Sequence, residues 1–240
     1  MIKEAIDRIL QLAAPRLASV DGVVWTNDSL EPVSPPQPTP LVCGNLAALH
    51  EFILGLGESE VVYTPLTVHV VDHKTVEVYG PMGEKYRKRE KYLVINGDIP
   101  AHKFNSWLSL EDMLVWLQSC FMDNEDRQQL LTLLSSVAET DSAQLTDDGI
   151  TQQVTVRTGV VTTGVQAVRP IWKLRPMRTF AEAEQPESAF LLRLRKGGQA
   201  ALFEADGGAW RVAARNNIKK ALGDYLEHWE IGSDTAYIVG

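Results

Sequence analysis

Trp210, Ala214, Ile218, Ala221, Leu222, Tyr225 and Trp229 recur at helical spacing near the end of the chain, and Arg211, Arg215, Lys219 and Glu227 fall on the opposite side. A helix with an apolar stripe of this width has to bury it against another layer of secondary structure. The chain is therefore expected to fold around a packed core closed by a long amphipathic helix over about residues 207–229.

The rest of the sequence says what that helix closes. Ile2, Ile6, Ile9, Leu10 and Ala13 form a short amphipathic pattern with Asp7 and Arg8 on its other face, ended by Pro15. Val23-Val24-Trp25 reads as a strand. Residues 31–40 hold Pro32, Pro35, Pro36, Pro38 and Pro40, a composition that favours an extended connector. Leu46, Leu49, Phe52, Ile53 and Leu56 predict a helix capped by Asn45 and ended by Gly55 or Gly57. The β-branched runs Val61–Tyr63, Leu66–Val71, Val76–Tyr79 and Tyr92–Ile95 predict strands, with a tight turn at Asp72-His73-Lys74. Ser109-Leu110-Glu111-Asp112 has the form of a capping box, and a second helix starts at Asp123–Asp126. Together they predict a helical hairpin. Thr151 to Thr163 alternates like a strand, prolines 170, 176 and 186 keep the next strands short, and residues 189–203 predict a hairpin. Tyr237-Ile238-Val239 adds a last strand. Clustered helices and strands predict an α+β fold with antiparallel or mixed sheets, the helical hairpin in the middle and the long helix at the end. One globular unit is expected across residues 1–240, in two lobes, 1–138 and 139–240.

Net charge and cysteine content narrow the function classes. The chain carries a formal charge of −8, against the excess of Lys and Arg that a general nucleic-acid coat needs. Its two cysteines, Cys43 and Cys120, make no disulfide framework and read as buried thiols in a reducing compartment. The charged start Met1–Asp7 is unlike a signal peptide, and no run approaches the roughly 20 apolar residues of a membrane span. No membrane partner is expected, and the expected location is the cytoplasm.

Candidate chemistry is sparse. His69 and His73, with Asp72 between them, lack a third ligand at zinc spacing, and His50, His102 and His228 stand apart. Gly55-Leu56-Gly57 lacks the Lys-Ser/Thr or third glycine of a phosphate cradle, and no Gly-x-Ser-x-Gly occurs. Cys120 falls on the apolar face of its helix, where a thiol is inert. Glu182 and Glu184 would share one face of a strand, as part of a solvated sheet surface. Neither catalytic residues nor a metal or cofactor are expected. Two segments have binding potential. Lys85, Tyr86, Arg87, Lys88 and Arg89 can hold phosphate groups, with Tyr86 stacking on a base. Asp206, Gly207, Gly208 and Trp210 open the last helix. There Asp206 suits the helix N-terminus as a cap, and two glycines need a reason in packing or backbone angle.

The stretch Leu202–Arg211 with Asn217-Ile218-Lys219, the stretch Thr179–Ser188 and the opening Met1–Ile6 resemble uncharacterised bacteriophage and prophage proteins of Gram-positive bacteria. The order of elements is more loosely similar to the domain-of-unknown-function family of the prophage protein YfdQ. The resemblance implies a phage-encoded cytoplasmic protein and brings no functional residues with it. The expected function is a non-enzymatic homo-oligomer. One alternative is an anti-defence protein that binds a host nucleotide signal or defence protein through the basic segment. Another is a single-strand DNA accessory in phage recombination.

Overall fold

The computed structural model describes residues 2–13, 17–20, 22–26, 36–57, 65–84, 87–138, 145–147, 152–158, 162–232 and 235–240. Helix α1 (Ile2–Ala13) precedes β1 (Leu17–Val20), β2 (Val23–Thr26), β3 (Leu41–Cys43), α2 (Ala48–Gly57), β4 (Leu66–Val70), β5 (Thr75–Met82) and β6 (Arg89–Asn96). Next come β7 (Leu108–Ser109), α3 (Leu110–Cys120), α4 (Glu125–Ala138), β8 (Leu145–Asp147), β9 (Gln152–Thr158), β10 (Thr162–Val168) and β11 (Ile171–Leu174). Then follow β12 (Ser188–Arg195), β13 (Gln199–Glu204), α5 (Trp210–His228) and β14 (Ala236–Val239). The class is α+β, with the long helix near the C-terminus. The strand expected at residues 61–63 lies outside the described residues, as do residues 31–35 of the connector.

Side-chain caps set the helix starts where the sequence places them. Ser109 Oγ accepts from the Asp112 N–H at 3.0 Å and donates to Asp112 Oδ2 at 2.7 Å, which starts α3. Asn124 Oδ1 accepts from the Arg127 N–H at 2.8 Å ahead of α4. Asn45 Oδ1 accepts from the Ala48 N–H at 3.0 Å ahead of α2. In each case a short polar side chain satisfies a backbone donor that the helix itself leaves without a partner.

Two sheets build two cores. In the five-stranded sheet the order is β14-β4-β5-β6-β3. Its three middle strands are antiparallel, and β14 and β3 add as parallel edges. Val68, Val70, Val76, Val78, Leu93 and Ile95 bury their side chains with Leu49 of α2 and with Ile218 and Leu222 of α5. The four-stranded antiparallel sheet, β11-β12-β13-β7, buries Phe190, Leu192, Leu194 and Leu202 against Met113 and Leu117 of α3 and Leu130 and Leu134 of α4. A smaller antiparallel sheet, β10-β9-β8, lies beside α4, and β1 pairs with β2 alone.

Three expectations need correction. The cores do not divide at residue 138. One draws on residues 110–137 and 168–202, and the other on residues 46–95, 180–183 and 218–236. The chain crosses between them because β11–β13 need α3 and α4 as their apolar cover, while α5 returns to the five-stranded sheet. Within Thr151–Thr163 the described residues belong not to one strand but to two, β9 and the start of β10, which pair antiparallel. Glu182 and Glu184 lie in a loop, not on a strand, because Pro176 and Pro186 bracket a segment that folds on its own backbone.

Candidate functional site

That loop, residues 175–187, passes between the two cores and carries a buried cation. Arg178 is 3% exposed. Its Nη1 donates to Glu204 Oε1 at 2.5 Å, and its Nη2 donates to Ser188 Oγ. The guanidinium lies 3.9 Å from the ring centroid of Trp210, a cation–π contact. Burial pushes the Arg178 pKa down to about 10, partly offset by the charges of Glu204 and Asp206. It still carries its charge at neutral pH. Glu204 ends β13, Ser188 starts β12 and Trp210 starts α5, so this one side chain ties the four-stranded sheet to the closing helix.

Gln185 shapes the loop itself. Its Oε1 accepts from the Arg178 N–H at 2.8 Å and the Thr179 N–H at 3.1 Å, and its Nε2 donates to the Phe180 carbonyl at 2.9 Å. Glu182 accepts from the Leu46 N–H at 2.9 Å and so serves the approach to α2. Glu184 faces Arg175 at 3.6 Å.

The junction before α5 is built differently from the expected cap. Helix α5 starts at Trp210, and Ala209 at its N-cap makes no side-chain bond. Asp206 Oδ1 instead accepts from the Gly208 N–H at 3.0 Å, closing the turn that precedes the helix. Gly207 and Gly208 have φ of +62° and +83°, a region glycine enters without a Cβ penalty. Around Gly207 a Cβ would meet nothing within 4 Å, so backbone angle and not packing selects that glycine. Trp210 is 5% exposed. Arg178 and Arg211 lie against its ring, and the His73 ring meets it edge-on at 4.9 Å. The segment thus closes on its own chain, around an arginine that sequence reasoning missed. A lone Arg between Met177 and Thr179 carries no periodic signal, and only the packed structure shows it buried.

The basic segment is divided. Lys85 and Tyr86 lie outside the described residues. Arg87 and Lys88 are exposed in the β5–β6 connection, with Arg87 at φ +49°. Arg89 is turned into the sheet, where its Nη1 donates to Thr67 Oγ1 and the Gly80 carbonyl, each at 3.1 Å. One nitrogen of its guanidinium is thereby used to hold β5 and β6 against β4.

The clearest unsatisfied surface lies elsewhere. Ile2, Ile6, Ile9 and Leu10 of α1 are 80%, 51%, 64% and 62% exposed, and no described element packs extensively against the helix. Leu17, Val20 and Trp25 of the β1–β2 hairpin are exposed as well. Among the described residues no group of His, Cys, Asp and Glu could hold a metal ion, and no helix is long and apolar enough to cross a membrane. Compared with protein-family models, curated proteins and solved structures, the chain matches none.

Proposed function

We propose that this chain is a phage-encoded, non-enzymatic protein that acts as a homo-oligomer, and that α1 carries the self-association. The exposed apolar face of α1 supports this reading. A helix of 12 residues is marginal alone in water, so its stability has to come from burying that face. Burying one such Ile or Leu side chain is worth about 1.5–3 kcal/mol.

Charge favours a second copy as the occupant. Lys3 and Arg8 balance Glu4 and Asp7, so α1 is neutral in a chain of net charge −8. Two acidic bodies meet with least repulsion through such an arm. An anionic lipid surface calls instead for a polar face rich in Lys and Arg. An apolar stripe is also self-complementary, as a twofold contact requires. The phage setting rests on the resemblance of the Leu202–Arg211 and Thr179–Ser188 stretches.

Light scattering at micromolar concentration tests the assignment. The wild-type chain is expected to run as an oligomer and the Ile6→Glu, Ile9→Glu double variant as a folded monomer. A wild-type chain that stays monomeric across that range rules the proposal out.

A further inference from the structure

A second feature lies at the seam between the cores. A cavity of about 250 Å³ is walled by three separate segments. Asp98 and Pro100 follow β6, Met122 and Asp123 join α3 to α4, and the third wall is the loop from Arg175 to Gln185. Phe121, next to Met122, belongs to one core, and Phe180 and Ala183 to the other. Small-molecule sites favour such seams, where rigid elements on both sides hold the walls. Pockets for drug-sized ligands run to about 300–1,000 Å³, so this one suits a smaller molecule, the size of an amino acid.

The lining says what kind of molecule. Two donors on the loop make no hydrogen bond among the described residues, although Arg175 forms loose ion pairs with Glu184 and Glu187. Thr179 is 3% exposed, and its Oγ1 has no hydrogen-bond partner among the described residues. Arg175 has Glu184 at 3.6 Å and Glu187 at 3.9 Å, both beyond hydrogen-bond distance, and its Nε also lacks an acceptor. Gln185, on the same wall, is by contrast consumed by loop backbone. Buried donors of this kind call for an acceptor, and a guanidinium fork with a hydroxyl suits a carboxylate. Asp98 on a second wall offers acceptors to an ammonium group; Asp123 on the third, whose Oδ1 already accepts from Arg127 Nη1 at 2.9 Å and Gln128 Nε2 at 2.8 Å, has its other carboxylate oxygen to add. Pro100, Met122, Met177, Ala181 and Ala183 complete an apolar remainder.

Charge excludes simpler ligands. With Asp123 already paired to Arg127, Asp98 and Glu184 still outweigh the single Arg175 and repel an inorganic anion. A bare amine leaves the Arg175 and Thr179 donors without acceptors. We propose that this cavity binds a small zwitterion, an L-amino acid with an apolar side chain, whose carboxylate meets Arg175 and Thr179 and whose ammonium meets Asp98 and Asp123. The site does not depend on self-association through α1.

Isothermal titration of the full chain with L-leucine tests this, alongside 4-methylpentanoate, which lacks the amine, and 3-methylbutylamine, which lacks the carboxylate. L-leucine is expected to bind saturably, and each analogue at least about tenfold more weakly, since each leaves one set of polar groups unpaired. Arg175→Gln and the exposed Asp98→Asn are each expected to weaken L-leucine at least about tenfold, with the far-UV spectrum unchanged. Should Arg175→Gln unfold, Asp98→Asn carries the test alone. The Ile6→Glu, Ile9→Glu variant keeps its binding, which separates this site from the oligomer. No saturable binding of L-leucine, L-methionine or L-valine up to about 10 mM overturns the proposal. So does equal binding of the two analogues, which marks a merely apolar hollow, or unchanged binding by Asp98→Asn.

Discussion

His102 has one ring nitrogen engaged and the other idle. Its Nε2 lies 2.8 Å from the Met177 carbonyl, which can only accept, so Nε2 carries the proton and donates. Nδ1 is buried without a partner among the described residues, and the ring stacks on Phe104. Burial lowers the His102 pKa below its ordinary 6.5, and the nearby Arg178 charge adds to the effect. His73, edge-on to Trp210, is lowered as well, first by burial and then by Lys74, Arg211 and Arg178, against the opposing pull of Asp72. The unfolded chain therefore takes up these protons near pH 6.5, while the folded chain resists until lower pH. Between those values the unfolded state binds more protons, so the stability is fully present above 6.5 and is lost as pH falls toward the folded pKa values. Glu77 and Asp126, lowered by ion pairs with Lys91 and Arg169, lose their contribution only below their ordinary 4.5 and 3.8. Urea midpoints measured from pH 7 to 5 are expected to fall, and His73→Phe with His102→Phe flattens that slope. An unchanged slope in the double variant contradicts this account.

At the scale of elements, the entry to α5 is where local chemistry and packing separate. Gly207 and Gly208 both hold positive φ, but their surroundings differ. Gly207→Ala meets only the backbone penalty, about 1 kcal/mol. Gly208→Ala also sets a Cβ 2.5 Å from Arg211 Nη1, so that side chain has to leave the Trp210 ring. Its cost is expected to exceed that of Gly207→Ala by a further ~0.5–1 kcal/mol, the worth of an exposed cation–π contact. Denaturant unfolding of the two variants orders them, and a reversed order removes the explanation. The caps at Asn45, Ser109 and Asn124 are legible in sequence because each acts within three residues of itself. Asp206 was misplaced as a helix cap for the same reason. A turn and a cap use the same side chain at the same spacing, and only the backbone angles of Gly207 and Gly208 tell them apart.

The whole molecule holds two cores, and Arg178 is a buried polar tie between them. Arg178 links the four-stranded sheet to α5, and its partners lie 10, 26 and 32 residues further along the chain at Ser188, Glu204 and Trp210. Breaking a buried ion pair by removing one partner leaves an uncompensated charge. Both cores are therefore expected to unfold in one transition, with tryptophan fluorescence and far-UV circular dichroism giving coincident curves. Glu204→Ala is expected to lower that midpoint by about 3 kcal/mol of stability, since Glu204 is only partly buried. Curves that separate in the wild-type chain show the cores to be independent.

The sequence by itself determined the α+β class, the helical hairpin, the β12–β13 hairpin, the closing helix and the caps. Each depends on residues within a turn or two of one another, where period and side-chain chemistry act directly. Tertiary structure alone decided how the cores divide, because the partners of β11–β13 precede them by more than thirty residues. It also set Arg89 against Thr67 and the Gly80 carbonyl within the sheet, and drew Arg178 inside. The cavity walled by Asp98, Asp123, Arg175 and Thr179 left no mark in sequence, since its groups come from three segments far apart along the chain. The apolar face of α1 was visible from Ile2, Ile6, Ile9 and Leu10. That no described element packs extensively against it is a fact of packing, and it is what the proposed self-association rests on.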